Sequence, residues 1–234
     1  MFTPEQIKEG TFLLFDKPKF WTSHDVVAKV RKELISYCGE KKLKVGHAGT
    51  LDPLASGLLI LATGAFTKRI DEIQQAPKEY TGIIYLGATT PSYDRETEID
   101  NRYSLEEVTH EKIYAAAKNF IGETDQTPPI HSAIKQEGKP VYLQARKGKD
   151  VFLQARKITI TNFEIPHIDL PLVSFRVNCS KGTYIRSLAY DLGKKLNCGG
   201  HLYELTRTKI GTYDVKDSFD LQVFLTTIKN SIST

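Results

Sequence analysis

The side chains best suited to chemistry are concentrated in residues 44–57, which read Lys-Val-Gly-His-Ala-Gly-Thr-Leu-Asp-Pro-Leu-Ala-Ser-Gly. Asp52 stands directly before a proline, a pair typical of a helix start, because aspartate is a preferred N-cap and proline a preferred first helical residue. Gly46 and Gly49, however, let a large molecule approach the backbone closely. The pattern therefore leaves two roles open for Asp52, a helix cap and a reactive carboxylate. His47 is likewise either a polar loop residue or a ligand contact.

A second polar cluster lies at residues 178–193, where a predicted strand passes into a predicted helix: Asn-Cys-Ser-Lys-Gly-Thr-Tyr-Ile-Arg-Ser-Leu-Ala-Tyr-Asp-Leu-Gly. Tyr184 and Arg186 fall in the first turn of this helix. A cation near a helix N-terminus opposes the helix dipole, and a carboxylate or phosphate partner would offset that cost. Arg186 is therefore either an exposed surface side chain or the partner of an anion.

The elements that must position these residues follow from hydrophobic periodicity and from breaks at glycine and proline. The predicted helices are residues 23–37, 53–62, 67–75, 106–120, 185–196 and 219–228. The predicted strands are residues 11–15, 80–86, 151–165, 172–179 and 203–215, and the longer predicted loops are 41–50, 91–102 and 126–139. Because helices and strands mix without strict βαβ alternation, the pattern predicts an α+β fold with a largely antiparallel sheet.

The composition is that of a globular protein. Of 234 residues, 40% are hydrophobic and 26% are charged, which excludes a disordered, collagen-like or coiled-coil chain. No apolar run approaches the roughly 20 residues of a membrane helix, and the first residues do not read as a signal peptide, so we expect a cytoplasmic protein without membrane contact. The three cysteines are far apart and make no disulfide framework. Cys198 and His201 are too few ligands for zinc, so no metal is expected.

The charge distribution bears on the choice of ligand. The net charge is only +4, but residues 17–44, 135–157 and 176–209 each carry a net charge of +5, whereas residues 88–111 carry −5. This separation indicates one side that faces a polyanion such as a nucleic acid and another side that does not. The alternative is a solvated, lysine-rich surface, and charge alone does not decide between the two.

Several motifs in this sequence resemble the TruB family, the tRNA pseudouridine-55 synthases. They occur in the family's order, cover about residues 11–213 and are specific only when taken together. The motifs are Asp16-Lys-Pro-Lys-Phe-Trp-Thr-Ser-His-Asp-Val-Val27, Gly46-His-Ala-Gly-Thr-Leu-Asp-Pro-Leu-Ala-Ser-Gly-Leu-Leu59 with Gly64 and Thr67-Lys68, Lys78-Glu-Tyr80, Thr127-Pro-Pro-Ile-His-Ser-Ala-Ile-Lys135, Cys179-Ser-Lys-Gly-Thr-Tyr-Ile-Arg-Ser-Leu188 and His201-Leu-Tyr-Glu-Leu-Thr-Arg-Thr-Lys-Ile-Gly211. The fold implied is the pseudouridine-synthase fold, a mixed, mostly antiparallel central sheet flanked by helices and loops, with an active-site cleft across the sheet.

The resemblance implies an isomerase that converts uridine-55 in the T loop of tRNA to pseudouridine. Asp52 matches the family's catalytic aspartate, Arg186 matches its ion-pair partner, and Tyr80 matches the aromatic residue that stacks on the flipped uracil. The reaction breaks a C1′–N1 bond and forms a C1′–C5 bond without a redox change, so no cofactor is expected. A uracil inside folded tRNA must leave its stack before an enzyme can reach it, which implies base flipping.

Further substrate-binding residues are implied on the same basis. His47 matches the loop histidine that enters the tRNA where the target base leaves. Tyr184 matches a residue that lines the uracil pocket, and Leu205 matches a hydrophobic wall of that pocket. Lys17 and Lys68 match two further motifs, of which the motif of Lys17 is mainly a structural support.

The sequence departs from the family pattern at two places and in its length. Phe20 stands where glycine is usual, and His131 stands where tyrosine or phenylalanine is common, so we expect local changes in loop shape there. Residues 1–215 are predicted to form the catalytic domain and residues 216–234 a short helical tail. The C-terminal RNA-binding domain of longer members, often of PUA type, is not expected.

These observations predict a stand-alone, monomeric, cytoplasmic enzyme that binds the T stem-loop of tRNA and needs no protein partner. Two alternatives stay open. One is a tRNA-binding or tRNA-folding module with minor catalysis. The other is a guide-RNA-dependent pseudouridine synthase, which would rely on partner proteins and on a C-terminal RNA-binding domain.

Overall fold

The computed structural model describes residues 2–130 and 153–232, and between these ranges the backbone of two short strands, Lys135–Gln136 and Lys139–Pro140. His131 and most of the basic stretch 135–157 lie outside the described residues. The chain divides into two compact units. Unit 1 contains Met1–Tyr80 and Thr206–Thr234, and unit 2 contains Thr81–Leu205.

Within the described residues, the helices are α1 (Pro4–Glu9), α2 (Ser23–Tyr37), α3 (Ile70–Gln75), α4 (His110–Lys118), α5 (Ile185–Lys195) and α6 (Leu221–Ile232), with 3-10 turns at Gly64–Arg69 and Val215–Asp217. None of these helices is long and apolar enough to cross a membrane. The strands are β1 (Phe12–Lys17), β2 (Val45–His47), β3 (Ser56–Thr63), β4 (Lys78–Leu86), β5 (Ala88–Thr89), β6 (Asn101–Arg102), β7 (Gly122–Gln126), β8 (Lys135–Gln136), β9 (Lys139–Pro140), β10 (Arg156–Asp169), β11 (Leu172–Cys179), β12 (Gly200–Ile210), β13 (Tyr213–Asp214) and β14 (Phe219–Asp220).

Strand β3 is the centre of unit 1. Strands β1 and β2 pair with it antiparallel, the C-terminal part of β12 runs parallel to its first residues, and β14 lies parallel to β1. Leu59 and Leu61 belong to an apolar cluster that also contains buried residues of α2 and α6. Leu58 and Ile60, which alternate with them, belong to a second cluster with residues of α3 and β12. Both faces of β3 are therefore buried.

The predicted helix at residues 53–62 is wrong, because this run is the strand β3. A strand covered on both faces loses the polar positions that would show a period of two, so its sequence reads as a continuous apolar run like that of a buried helix. The correction changes the interpretation of Asp52. No helix begins after it in this described segment; its carbonyl instead accepts a hydrogen bond from the backbone N–H of Ala55 at 3.0 Å. The helix-cap role is therefore excluded.

Helix α2 confirms the prediction for residues 23–37. Thr22 is its N-cap, and its hydroxyl accepts a hydrogen bond from the N–H of Asp25 at 3.0 Å while the Asp25 carboxylate accepts one from the Thr22 N–H at 2.9 Å. This reciprocal capping box satisfies two N–H groups that the helix itself leaves without partners. Val26, Val30 and Leu34 recur at helical spacing and are fully buried.

Unit 2 is built on a long antiparallel pair. Strand β10 pairs with β11 on one side and with β7 on the other, and β4 lies on the far edge of β11. Helix α4 packs against β10, and the alternating buried residues of β11, Val173, Phe175 and Val177, supply the core. The small strand β7 was not predicted, because its sequence, Gly-Glu-Thr-Asp-Gln, is polar. Its strand conformation is held by the pairing with β10.

The predicted fold class is confirmed: the structure is α+β, with mixed but mostly antiparallel strands flanked by helices. Several bounds differ from the prediction. Helix α4 begins only at His110, β10 extends to Asp169, and β12 begins at Gly200 and is interrupted after Ile210. The division into a catalytic domain of residues 1–215 and a tail of residues 216–234 stays a prediction.

We predict that Gly57→Ala destabilises the protein strongly. Gly57 has a φ of +102°, and a Cβ placed there would overlap the backbone of Arg207, which is its partner in the pairing of β3 with β12. Conformational strain and overpacking together should lower the free energy of unfolding by about 3–5 kcal/mol, as measured by urea denaturation.

Gly39→Ala is the matched control. Gly39 has a φ of +64°, but a Cβ there would meet no atom within 4 Å. This variant should lose only the conformational part, about 1–2 kcal/mol. Equal losses in the two variants would show that β12 does not approach β3 as closely as described.

Candidate functional site

The loop that carries Asp52 is fastened at both ends to strands of unit 1. Before the loop, β2 pairs with the end of β3, and the Ala48 N–H donates to the Ile60 carbonyl at 2.8 Å. After the loop, β3 begins at Ser56, whose hydroxyl is 2.9 Å from the hydroxyl of Thr206. Short anchors on both sides leave the loop backbone little freedom, so Asp52 has a defined position.

A buried arginine holds this loop from the inside. Arg207 is only 1% exposed. Its guanidinium donates to the carbonyl of Leu58 at 2.8 Å, to that of Gly49 at 3.1 Å and to that of Thr50 at 3.4 Å. The planar fork of donors suits several carbonyl acceptors at once. Sequence reasoning missed this role, although Arg207 belongs to one of the motifs that carry the family resemblance.

Ser23 fixes the residue next to Asp52. Its hydroxyl accepts a hydrogen bond from the Leu51 N–H at 2.8 Å and is 3.2 Å from the Leu51 carbonyl as a donor. Ser23 is the first residue of α2, so the capping box that starts this helix also sets the position of the loop. Ser23 was predicted only as part of a helix start and is a second contact that sequence reasoning missed.

Lys17 places a positive charge near Asp52. Its side chain is completely buried, and its ammonium donates to the carbonyls of Pro18 at 2.9 Å and Trp21 at 2.7 Å. Burial lowers the pKa of Lys17 to about 8, although the nearby charge of Asp52 acts in the opposite direction. The two carbonyls fit the supporting role that the resemblance implies for Lys17, and its contact with substrate stays a prediction.

His47 and Lys68 lie at other places in unit 1. His47 is partly buried at the end of β2, and burial lowers its pKa against the opposing effect of a backbone hydrogen bond with Gly49, so its imidazole is neutral at pH 7. Lys68 is exposed in the 3-10 turn that follows β3. It lines a surface cleft of about 470 Å³ whose other walls include Lys8, Lys42 and Lys44. Glu9 and Glu40 also line this cleft, so its charged lining is mixed, with more lysines than glutamates.

The start of α5 in unit 2 is held by a side chain from β7. The Gln126 amide accepts from the Tyr184 N–H at 2.8 Å and donates to the Tyr184 carbonyl at 3.0 Å. Tyr184, the N-cap residue of α5, offers no side-chain cap of its own. Gln126 therefore fixes the backbone of Tyr184 at the start of the helix. The Tyr184 ring also lies 4.5 Å from the Arg156 guanidinium.

Arg186 is buried beside a carboxylate. The sequence predicted that Arg186 is either exposed at the surface or paired with an anion. The residue is only 4% exposed, so the surface alternative is wrong. Its Nη1 atom lies 3.6 Å from Oδ2 of Asp94 and donates to the carbonyl of Ser92 at 3.3 Å. An anion near this helix start offsets the unfavourable position of the cation. The pairing of Arg186 with Asp52 that the resemblance implies stays a prediction.

Asp94 is a residue of unit 2 that sequence reasoning missed. It lies in the acidic stretch 88–111, which was predicted to face away from a polyanion, yet it is only 5% exposed and contacts Arg186. Its loop is rigid, because the hydroxyl of Thr90 donates to the Asp94 carbonyl at 2.6 Å and the Glu96 N–H donates to the Asp94 carboxylate at 2.9 Å. A charge count treats all acids of a stretch alike and so cannot single out the buried one.

The predicted site residues thus fall into two sets, one in each unit. Asp52, His47, Lys17, Lys68 and Tyr80, which is partly buried in β4, belong to unit 1. Tyr184, Arg186 and Leu205, which is 8% exposed in β12, belong to unit 2. Within the described residues, no group of three or more histidine, cysteine, aspartate or glutamate side chains is placed to hold a metal ion.

Comparison with known proteins shows which family this chain belongs to. The model for the "TruB family pseudouridylate synthase (N terminal domain)" matches residues 36–185, and the model for the "tRNA pseudouridylate synthase B C-terminal domain" matches residues 186–231. The chain is 56% identical to the tRNA pseudouridine synthase B of Flavobacterium johnsoniae, over 95% of this chain and 97% of that protein. It is 50% identical to the protein of the same name from Phocaeicola vulgatus, over 93% and 92% of the two chains.

Solved structures show the same fold. The chain is 30% identical to a chain in the crystal structure of a Cbf5–Nop10–Gar1 complex, with a TM-score of 0.71, and 28% identical to one in an H/ACA RNP bound to a substrate RNA containing 2′-deoxyuridine, with a TM-score of 0.69. These matches cover 97% and 96% of this chain but only 58% and 57% of the other chains. The first family model covers more than half of the chain and the bacterial relatives nearly all of it, and the chain therefore belongs to the TruB family of pseudouridylate synthases.

Proposed function

We propose that this protein converts uridine-55 in the T loop of tRNA to pseudouridine, with Asp52 as the catalytic carboxylate. The observation that carries the proposal is the setting of Asp52. It lies in a loop held by Arg207 and Ser23, without a helix to cap. The relatives named tRNA pseudouridine synthase B, which match this chain over nearly their whole length, support tRNA as the substrate.

The bond changes of the reaction explain the need for one well-placed carboxylate. Isomerisation breaks the bond from C1′ to N1 and forms a bond from C1′ to C5, so the proton on C5 must leave while N1 gains one. A carboxylate beside the nucleotide serves such a reaction as a nucleophile or as a base. Lys17 supports the ionised form of Asp52, because the two opposite charges attract each other.

Extraction of the base requires groups that replace its stacking partners. We propose that the His47 ring, which is neutral at pH 7, occupies the position in the base stack that the target base leaves. A neutral ring enters the stack without carrying a charge into it. We assign to Tyr80 the stacking contact with the extruded uracil, since aromatic rings stack on any base. Tyr184 and Leu205 are assigned to the walls of the uracil pocket.

We assign to Arg186 the role of holding the catalytic carboxylate ionised. Its guanidinium is buried, forms an ion pair with Asp94 and donates a hydrogen bond to the Ser92 carbonyl, so its position is fixed before substrate binds. A fixed cation can stabilise charge without reorganising during the reaction. Asp94, which neutralises and orients Arg186, is then a positioning residue.

We also propose that the enzyme acts in the cytoplasm as a monomer, without an obligatory protein partner. The bacterial relatives that match nearly the whole of this chain are each named as one enzyme, whereas Cbf5 was solved in complex with Nop10 and Gar1.

The experiment that tests the function is incubation of the purified protein with unmodified tRNA transcript, followed by mapping of pseudouridine. Binding without product would favour the alternative of a tRNA-binding or tRNA-folding module.

We predict that Asp52→Asn abolishes pseudouridine formation and changes tRNA affinity by less than about twofold, since one charge among many basic contacts contributes little to binding. Single-turnover assays and filter binding measure the two quantities. Asp71→Asn is the control, because Asp71 is an exposed acid in the first turn of α3 and should keep full activity. Turnover near the wild-type rate in folded Asp52→Asn would remove Asp52 from the catalytic role.

Arg186→Lys should lower the single-turnover rate by about 100-fold or more, because lysine keeps the charge but not the planar fork, and a small misplacement in an active site has effects of this size. Its tRNA affinity should change little. Arg176→Lys, at an exposed position of β11, is the control and should behave like the wild type. Similar rates for the two variants would place Arg186 outside the active site.

Binding of tRNA should depend on salt and not on the anticodon. Contacts of lysine and arginine with phosphates release counterions, so the affinity should fall at least about tenfold between 50 and 200 mM salt. Structured RNA is recognised mainly by shape, so tRNA species with different anticodons should bind alike. Filter binding over a salt series decides the point, and a salt-independent affinity would contradict it.

A further inference from the structure

Phe20 combines an unfavourable backbone conformation with an exposed aromatic ring. Its φ is +70°, in the left-handed region that glycine adopts freely and that is rare for a bulky side chain. Its side chain is 79% exposed, the largest exposed fraction of any large hydrophobic side chain in the described residues. Burial of the ring therefore does not offset the unfavourable conformation within the folded protein, which points to a contact with another molecule.

The position of the ring is fixed by the same groups that surround Asp52. The Phe20 N–H donates to the carbonyl of Pro53, the residue after Asp52, at 2.7 Å. The Lys17 ammonium binds the carbonyls of Pro18 and Trp21, one on each side of Phe20 in the chain. The turn is thus clamped from within, and the ring is presented to solvent at a constant place relative to the Asp52 loop.

The surroundings of Phe20 are aromatic and basic. A cleft of about 520 Å³ is lined by Phe20, Trp21, Asp25, Ala28, Lys29 and Lys32. The carboxylate of Asp25 already accepts hydrogen bonds from the N–H and the hydroxyl of Thr22. Lys29 forms an ion pair with Glu33 at 3.5 Å, whereas Lys32 forms none with any carboxylate in the described parts of the chain. One free ring beside lysines matches the chemistry of a nucleotide, which offers a base to stack and a phosphate to pair.

We propose that these residues form a second RNA contact, the Phe20 surface, defined by Phe20, Trp21, Lys29 and Lys32. An unpaired base of the tRNA stacks on the Phe20 ring, and the lysines contact the adjoining phosphates. The proposal rests on the proposed function, since it assigns an additional contact to the same substrate. A protein partner fits less well, because protein contacts use apolar patches of several hundred Å², whereas base stacking needs a single ring.

Two substitutions separate the ring from the backbone. Phe20→Gly removes the ring and the unfavourable φ together, so we expect the midpoint of thermal unfolding to rise by about 2–4 °C. The dissociation constant for unmodified tRNA should increase about 5- to 150-fold, the range that base–aromatic stacking contributes. Phe20→Leu keeps the conformation and an apolar side chain but has no ring; it should lose affinity to a similar extent, without the gain in stability.

Two further variants complete the filter-binding test. Phe20→Tyr should bind like the wild type, because the ring is kept. Tyr114→Ala removes an aromatic ring that is 49% exposed on α4, and it should also bind like the wild type. Wild-type affinity in Phe20→Gly, or in Phe20→Leu, would overturn the proposal, since stacking would then not contribute.

The outcome is independent of the test of function. If the wild type forms pseudouridine and all Phe20 variants bind tRNA equally, only the Phe20 surface is wrong. If the wild type binds tRNA through Phe20 but forms no pseudouridine, the proposed function is wrong and the surface stands as an RNA contact.

Discussion

The hydrogen bonds of the Arg207 guanidinium to the carbonyls of Gly49, Thr50 and Leu58 are the interaction on which the candidate site of unit 1 depends. A buried charge is costly unless its donors are satisfied, and here the loop backbone satisfies them. The same contact requires β12 to run close beside β3, where only Gly57 leaves enough space. Loop shape, strand pairing and the position of Asp52 therefore depend on one another.

Buried charges in both units are matched by local partners. In unit 1, the Lys17 ammonium is held by two carbonyls and attracted by Asp52. In unit 2, the Arg186 guanidinium is held by Asp94 and by the Ser92 carbonyl. Charges arranged in this way before substrate binds need little reorganisation during a reaction. This preorganisation is the physical basis for the roles that we propose for Asp52 and Arg186.

How far the sequence predicted the structure varies from element to element, for identifiable physical reasons. Helix α2 was predicted with its correct bounds, because one face is buried, the other is solvated and a capping box marks its start. The run that forms β3 was mistaken for a helix, because burial on both faces removes the alternation that would identify a strand. The family motifs, which do not depend on periodicity, still identified the residues around it.

The candidate site was predicted from motifs, but its supporting contacts were not. Ser23 and Arg207 act through tertiary hydrogen bonds, and Asp94 acts through an ion pair with Arg186. Each of these contacts joins segments that are distant in the chain, so no local sequence pattern predicts it. Phe20 was predicted only as a departure from a usual glycine. The structure shows that the backbone keeps the left-handed conformation that suits glycine, so the substitution changes what the turn presents to solvent.

Mapping of pseudouridine in total tRNA from a strain that lacks this protein tests whether Asp52 carries out the reaction in the cell. We predict that pseudouridine is lost at position 55 and at no other position, and that it returns when the wild-type gene is restored but not when Asp52→Asn is supplied. Pseudouridine that persists at position 55 in the deletion strain, or that returns with Asp52→Asn, would contradict this prediction.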